Sequence, residues 1–497
     1  MQRNKLSHRS NVFYLTGALC LILAACGGTE DPGFPQDSVS QQDNPSRQSD
    51  PSPQGNASQQ SGPSQQGNAS QQSDPSPQDN ASRQSGPSQQ DYASPQDTAS
   101  LPPGNTAQTQ ESSSTSRQAD NAEGGPQVPV DAGSSPEITL VMVEDILLHT
   151  PVAESGLRED GSYDFSAVFA HTREEISSAD LALVNQEVIL GGTELGISGY
   201  PAFNAPYELG DALADTGFDV VLHATNHALD KGAKGITNCL TFWENSHPDI
   251  GVLGIHGNAE DQNEIYIYEQ NGIKIAILNY TYGTNGIPLP QGMDHAVDLM
   301  DDLDRIAEEL RQAEKLADFT IVCPHWGTEY RLTPDDGQET LAQFFWENGA
   351  DLVLGTHPHV IEPVAWVTAE GIRTCDLIEQ ETGQGVSLTG TDVPDGMLVY
   401  FSLGNFVNWT SGTGEGVANR MVGGMAKVTL GLDDDGTVSI KEYGVEPLVC
   451  HVEGGRDGVT VYPFSDYTER LAEKNAIRSQ DGNFSLQYCR NLLEQVW

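Results

Sequence analysis

Apolar and polar positions divide the chain into two unlike parts near residue 136. Beyond it, short apolar runs alternate with stretches of helical spacing. The runs at 138–143, 181–184, 220–222, 273–279, 319–323 and 352–354 are brief and rich in Val, Ile and Leu. That is the pattern of strands buried on both faces. Between them, 165–178, 207–216, 234–246, 299–317 and 341–348 read as helices. In 299–317, Leu303, Ile306, Leu310 and Leu316 fall on roughly one face of a charged segment. Later runs at 397–403 and 426–432 read as strands. Asp433-Asp434-Asp435-Gly436 follows the second as a hairpin turn signal. Strand, polar tip and helix recur along the chain, and that alternation predicts an α/β fold.

Polar residues gather where the runs end. Glu144-Asp145 follows the first, with His149 close behind, and Asn185-Gln186-Glu187 follows the second. His223-Ala224-Thr225-Asn226-His227 follows the third, with Asp230 just beyond it. His325-Trp326-Gly327 and Thr356-His357-Pro358-His359 end two later runs. In open α/β sheets, ligand crevices lie outside the C-terminal ends of the strands. Each piece also has a plainer explanation. A lone Asp at a strand end is commonly a turn residue or a helix cap. Asn226 could cap a helix, and His325 could be a buried ring beside Trp326. His357-Pro358-His359 resists such explanations, because two core imidazoles need partners for both rings. Taken jointly, the tips offer carboxylate, carboxylate, Asn-His, His and His-x-His. These O and N ligands suit a pair of first-row divalent ions such as Mn, Fe or Zn. Cys323 is expected to point into the sheet, so no thiolate joins them. Such a metal pair can activate water for an in-line displacement at phosphorus, with a nearby His protonating the leaving oxygen.

The first part of the chain has a different character. Lys5 and Arg9 precede an apolar run over 12–25, the n-region and h-region of a secretory signal. The run is shorter than the roughly 20 residues of a membrane-spanning helix. Leu23-Ala24-Ala25-Cys26-Gly27 resembles a bacterial lipobox. The resemblance implies a signal peptide over 1–25, lipidation of Cys26, and a lipid-anchored protein on the extracytoplasmic face of the cell membrane. Residues 26–135 are rich in Ser, Gln, Pro and Asn. They contain a repeat that begins at Gly55, Gly67 and Asp79, with no residue able to build a core. This composition reads as a disordered tether with a random-coil reach of about 50–60 Å. A folded domain over 136–497 follows.

Charge narrows the partners. The chain has 71 acidic and 24 basic residues, a net charge of −47. Residues 1–135 carry 13 acidic and 6 basic, and 136–497 carry 58 and 18, so the folded part holds −40 of the total. Such a field repels polyanions and argues against nucleic acid as a partner. It leaves room for a local anion site built on metal ions. Once Cys20 leaves with the signal and Cys26 carries lipid, five cysteines remain without zinc-like spacing. One or two disulfides are allowed, with pairing open.

At the candidate residues the sequence resembles the bacterial capsule-synthesis proteins of the CapA type. That family is associated with poly-γ-glutamate and belongs to the calcineurin-like metallophosphoesterase superfamily. The resemblance covers most of 137–465. It rests on Glu144-Asp-Ile-Leu-Leu-His149, Tyr163-Asp-Phe-Ser, Ala179-Asp-Leu-Ala-Leu-Val-Asn-Gln-Glu187, Tyr200-Pro-x-Phe-Asn-Ala-Pro206, Asn226-His-x-x-Asp-x-Gly232, Asn279-Tyr-Thr-Tyr-Gly-Thr-Asn-Gly286, His325-Trp-Gly-x-Glu-Tyr330, Gly349-Ala-Asp-x-Val-x-Gly-x-His-Pro-His359 and Tyr400-Phe-Ser-Leu-Gly-Asn-Phe-Val407. It implies a four-layer α/β/β/α sandwich and two divalent metal ions. By motif, Asp145, Glu187, Asn226, His325, His357 and His359 would be metal ligands. His227 would stand beside the leaving group, catalytic together with Asp145. His149, Asp230 and Asn405 would sit behind them. The family association implies an envelope or capsule polymer and its synthesis machinery as partners. Poly-γ-glutamate has amide bonds and no phosphate, so phosphoester chemistry on it is not implied. Two roles are open: a metal-dependent hydrolase or transferase, or a non-enzymatic part of the synthesis or export assembly. The chain departs from the family at Glu144, where Gly is usual, and at Gln186, Glu362 and Asn408-Trp409-Thr410. These changes are expected to alter substrate contacts or local charge.

Overall fold

The computed structural model describes residues 136–382, 385–410 and 412–497. The signal sequence, Cys26 and the repeats lie outside the described residues. Within them, β1 (Glu137–Ile146), β2 (Leu181–Asn185), β3 (Val220–Leu222) and β4 (Gly251–Leu253) pair in parallel, in that order. Their connections carry α1 (Thr150–Gly156), α2 (Arg173–Ser178), α3 (Tyr207–Thr216) and α4 (Gly232–Ser246). After the single turn α5 (Ala259–Gln262) the chain enters a second sheet. There β5 (Tyr266–Gln270) folds back on β6 (Ile273–Thr281), which runs parallel to β7 (Phe319–His325) and β8 (Leu352–Leu354). α6 (Leu303–Leu316) and α7 (Asp336–Glu347) make those crossovers.

β9 (Val364–Thr368) and β10 (Gly371–Thr374) form one edge of the second sheet. β11 (Leu377–Thr382) and β12 (Gly385–Gly390) belong to the first. β13 (Met397–Tyr400) returns between β8 and β9, and β14 (Asn405–Val407) pairs with the end of β1. β15 (Val422–Leu432), β16 (Val438–Val452) and β17 (Val459–Pro463) extend the first sheet as antiparallel strands. α8 (Glu469–Lys474) and α9 (Leu486–Val496) close the chain.

Side-chain alternation turns these two sheets into four layers. On β1, Ile138, Leu140 and Met142 enter a core shared with Ile275 and Ile277 of β6, Ile321 of β7 and Leu352 of β8. Val141 and Val143 point the other way, onto Leu213 of α3 and Ile236 of α4. On the second sheet, Ala276, Val322 and Val353 meet Ile306 and Leu310 of α6 and Phe345 of α7. Because neighbouring residues of a strand face opposite sides, strands apolar on both faces need helices outside and a sheet inside. The expected α/β fold results, with two multi-strand sheets that share one core and helices packed on each.

Several boundaries differ from expectation. The helix expected over 165–178 forms only as α2, and 166–172 are turns. Asp164 accepts a hydrogen bond from the Ser166 N–H (2.9 Å), and the Val168 carbonyl accepts one from the Val461 N–H on β17 (2.9 Å). An Asx turn and a tertiary bond replace the helical ladder. α6 begins at Leu303 rather than 299, because Asp302 caps it by accepting from the Arg305 N–H (3.0 Å). α7 begins earlier than 341, at Asp336, behind a capping box of Asp335 and Gln338. The strand expected over 397–403 stops at Tyr400. All five remaining cysteines are buried and unpaired. No helix among the described residues is long and apolar enough to cross a membrane.

Candidate metal centre

β1 delivers its carboxylates within the strand rather than after it, since Glu144 and Asp145 are among its last residues. Adjacent strand residues face opposite ways, and the two acids accordingly have different partners. Glu144 accepts from Ser402 Oγ (2.7 Å) and from the Leu403 N–H (2.6 Å). Its burial, with Asp145 nearby, pushes its carboxyl well above the usual range against those two hydrogen bonds. The residue that departs from the family pattern therefore braces the loop after β13 and leaves Asp145 free to face the crevice.

Asp145 accepts from Asn185 Nδ2 (2.6 Å), His359 Nδ1 (2.9 Å) and, at longer range, the His357 N–H (3.3 Å). Burial alone would raise its pKa, but the His359 hydrogen bond and the surrounding histidines hold it down at about 2. Asp145 thus stays ionised. Glu187, just past the end of β2, is also buried. It lies 3.8 Å from His325 Nε2 and from His359 Nδ1, and 4.0 Å from His227 Nε2. These gaps are longer than hydrogen bonds, and both of its oxygens are buried without a hydrogen-bond partner. Burial first, and then the charges of Asp145 and Glu329, push its carboxyl well above the ordinary range.

The histidines complete the cluster. Gly355 lets the loop after β8 pass against Trp326 and the Phe401 carbonyl, where a Cβ would overlap both. His357 and His359 then adopt φ of 100° and 60° on either side of Pro358. Such left-handed backbone in bulky residues is costly and clusters at functional sites. His357 Nδ1 is buried without a partner, and one ligand atom each of Glu187, His357 and His359 lie within 4.8 Å of one another. His325, the last residue of β7, holds Thr356 Oγ1 at 2.8 Å through Nδ1, which turns Nε2 toward Asn226 Oδ1 (3.0 Å). Burial and the neighbouring His357 lower the His325 pKa well below its usual value. Burial and His359 bring His357 to about 4, so both rings are neutral at pH 7. Neutral imidazoles are what a metal site requires.

His227 Nδ1 bonds Asp230 Oδ2 (2.7 Å), and its ring meets Phe203 edge-on. Asp230 Oδ2 also accepts the Phe203 N–H (2.7 Å), so the carboxylate fixes ring and neighbour together. Asn405 takes His359 Nδ1 at 3.1 Å and donates to the His359 carbonyl (2.9 Å). His149 packs edge-on against Phe203, and burial with the nearby His359 and His227 brings it to about 4. It is a wall of the crevice rather than a member of the ligand cluster. Cys323 points into the core between the sheets, as expected.

The structure adds Asn185, Thr356, Tyr282, Asn285 and Arg420 to the site: the Tyr282 ring lies 4.7 Å from that of His357, Asn285 Oδ1 accepts from Asn226 Nδ2 (3.4 Å), and the Arg420 carbonyl accepts from Asn405 Nδ2 (3.0 Å). Asn185 and the Tyr282–Asn285 segment lie inside motif blocks but carry no ligand signature of their own. Arg420, which follows the last block, gave no signal.

A family model described as bacterial capsule synthesis protein PGA_cap matches residues 139–410. The PGA biosynthesis protein CapA of Bacillus subtilis (strain 168) is 30% identical over 202 residues, 40% of this chain and 45% of that protein. The capsule biosynthesis protein CapA of Bacillus anthracis is 27% identical over 298 residues, 57% of this chain and 63% of that protein. The chain thus matches about half to three fifths of the length of these relatives. Among solved structures, the NAD nucleotidase of Haemophilus influenzae aligns with a TM-score of 0.36 and 17% identity, over 65% of this chain and 59% of that one.

Proposed function

The chain belongs to the bacterial capsule synthesis protein PGA_cap family, and we propose on that premise that its folded domain is a divalent-metal-dependent hydrolase of the metallophosphoesterase type. In this reading it is lipid-anchored outside the cell membrane and works on capsule polymer or a precursor of it. One observation carries the proposal. Glu187 presents two buried, unpartnered carboxylate oxygens to a ring of histidines, while no Lys or Arg among the described residues pairs with Glu144, Asp145 or Glu187. Buried carboxylates without a cation are costly, and a metal ion is the cation this donor set suits.

Asp145, Glu187, Asn226, His325, His357 and His359 would hold the metal, which is read as two divalent ions. Bound divalent ions would supply a Lewis acid and a nucleophilic water at neutral pH. The protein's own residues have separable tasks. Asn185 and Asn405 orient Asp145 and His359. Asp230 fixes the His227 tautomer, so Nε2 can hold a proton for a leaving oxygen. Phe203 and His149 exclude water from that side. The experiment is to load the protein with Mn and assay a nitrophenyl phosphodiester for wild type and His357→Ala. Wild-type turnover, lost by at least about a hundredfold in the variant, supports the reading. Stoichiometric metal without turnover favours the non-enzymatic role.

A further inference from the structure

Among the described residues three aromatic side chains are exposed: Tyr200, Tyr282 and Tyr330, at 73%, 48% and 46%. All three stand around the candidate centre. The Tyr282 ring lies 4.7 Å from that of His357 and 6.4 Å from that of His325, nearly parallel to the latter. Tyr330 lies 6.0 Å from His359. Tyr200 meets Phe203 edge-on at 6.3 Å, and Phe203 meets the His227 ring at 4.7 Å. Exposed apolar side chains scattered singly are ordinary, but aromatic rings gathered at one crevice mark a binding surface. Two of these rings are also fixed in place. Tyr282 donates its N–H to the His325 carbonyl (3.0 Å), and Tyr330 donates its own to the Pro358 carbonyl (2.8 Å). The Arg420 guanidinium lies 3.6 Å over the Tyr330 ring and holds one face of it. Hydrogen-bonding groups stand beside the rings. Asn285 and Glu329 are exposed. Burial first, and then the Glu329 carboxylate, raises the phenols of both Tyr282 and Tyr330, which places that carboxylate near both.

We propose that this rim binds a chain of uncharged sugar rings passing through the crevice, with Tyr200, Tyr282 and Tyr330 as stacking platforms. The inference rests on reading the crevice as a polymer-processing site. Three features select this occupant. A sugar ring presents a face of C–H groups and an edge of hydroxyls. A tyrosine face takes the first by dispersion and burial, and an amide or carboxylate beside it accepts from the second. Charge removes the other polymers. Nucleic acid also stacks on aromatic rings, but a domain with 58 acidic residues against 18 basic ones repels it, and repels a chain of carboxylates for the same reason. A neutral chain meets no such repulsion. Number and position then favour a chain over a single unit. One platform would serve one ring, whereas these stand at separate points, Tyr200 toward His227 and the other two against His357 and His359.

The test uses the full chain loaded with Mn and three probes: glucose, a hexaose of β-linked glucose, and a glutamate hexamer joined through its side-chain carboxyls. β-Linked glucose carries its ring hydroxyls equatorially, which leaves both faces free to stack. Binding is measured by calorimetry for wild type, Tyr200→Ala, Tyr330→Ala and Tyr330→Phe. Wild type should bind the hexaose more tightly than glucose and more tightly than the glutamate hexamer. Each alanine variant should weaken the hexaose at least about threefold, while Tyr330→Phe, which keeps the ring, should retain most of the affinity. Unfolding midpoints control for folding. Tyr200→Ala, remote from the backbone bond of Tyr330, keeps the test valid if Tyr330→Ala does not fold. A hexaose bound no better than glucose overturns the inference, as do equal affinities in wild type and the alanine variants, or a preference for the glutamate hexamer. Metal content separates the two readings. Metal-loaded protein that ignores the hexaose sinks this inference alone. Protein that binds the hexaose through its tyrosines but holds no metal sinks the hydrolase reading alone.

Discussion

Asn185 shows how a residue without ligand character can govern a site. Its amide is the shortest hydrogen bond to Asp145, and it orients the carboxylate that would bind metal. Asn185→Ala should lower Mn affinity by about 10–100-fold in a calorimetric titration, and unchanged affinity would show that Asp145 needs no such support. A second residue, remote from the site, makes the fold's pH response measurable. Burial pushes the Glu446 carboxyl on β16 up to about 8, against the pull of Lys427 and with Glu175 and Asp466 adding to it. An unfolded Glu titrates at about 4.3. Between those values the folded state binds more protons than the unfolded one. Stability is therefore full below about pH 4 and falls as pH rises toward 8. Glu446→Gln should lose this dependence, gaining on wild type by up to about 1.4 kcal/mol per pH unit inside the window. Urea melts at pH 5 and pH 8 check it, and a constant difference between the two proteins contradicts it. Residue chemistry also decided what the sequence could reveal. His357-Pro358-His359 was legible because two adjacent imidazoles are hard to bury without a ligand. Arg420 was not, because its meaning depends on Tyr330 and Asn405, which only the fold brings near it.

At the scale of elements, the centre is a property of strand ends. The parallel strands β1 to β3 and β6 to β8 were legible because each is a continuous apolar run buried on both faces. β16 was missed: it spans Val438–Val452 but contains Gly444 and Pro447, which read as breaks in isolation. Gly444 is needed there because a Cβ would overlap the Leu388 carbonyl of β12. The turns over 166–172 were missed for the opposite reason. Their apolar spacing is helical, yet the Asp164 turn and a backbone bond to β17 outcompete the helix. Two substitutions probe these elements. Ile277→Ala opens a void between the sheets and should cost about 2–5 kcal/mol of stability, read from denaturant melts. A cost near zero would mean that the layers are not packed as described. Gly355→Ala should cost about 1–3 kcal/mol by overpacking, and it should also displace the loop that carries His357 and His359. Its signature is weaker Mn binding together with a lowered unfolding midpoint. Loss of stability with Mn affinity intact would separate the loop from the centre.

At the scale of the whole molecule, a strongly acidic domain holds a cluster of buried acids, Glu144, Asp145 and Glu187, with which no Lys or Arg among the described residues forms an ion pair. The acidity makes loading with a divalent ion favourable and direct contact with a polyanion unfavourable. The proposed lipid anchor has its own test. Cys26→Ser should move the protein from the membrane fraction to the soluble fraction, and unchanged partition would remove the anchor. The most direct measurement is the metal content of the full chain after Mn loading and desalting, for wild type beside Glu187→Gln and His357→Ala. The account predicts about two ions per wild-type chain and a clear loss in both variants. Wild-type protein with no metal above background, or variants that retain all of it, would contradict it.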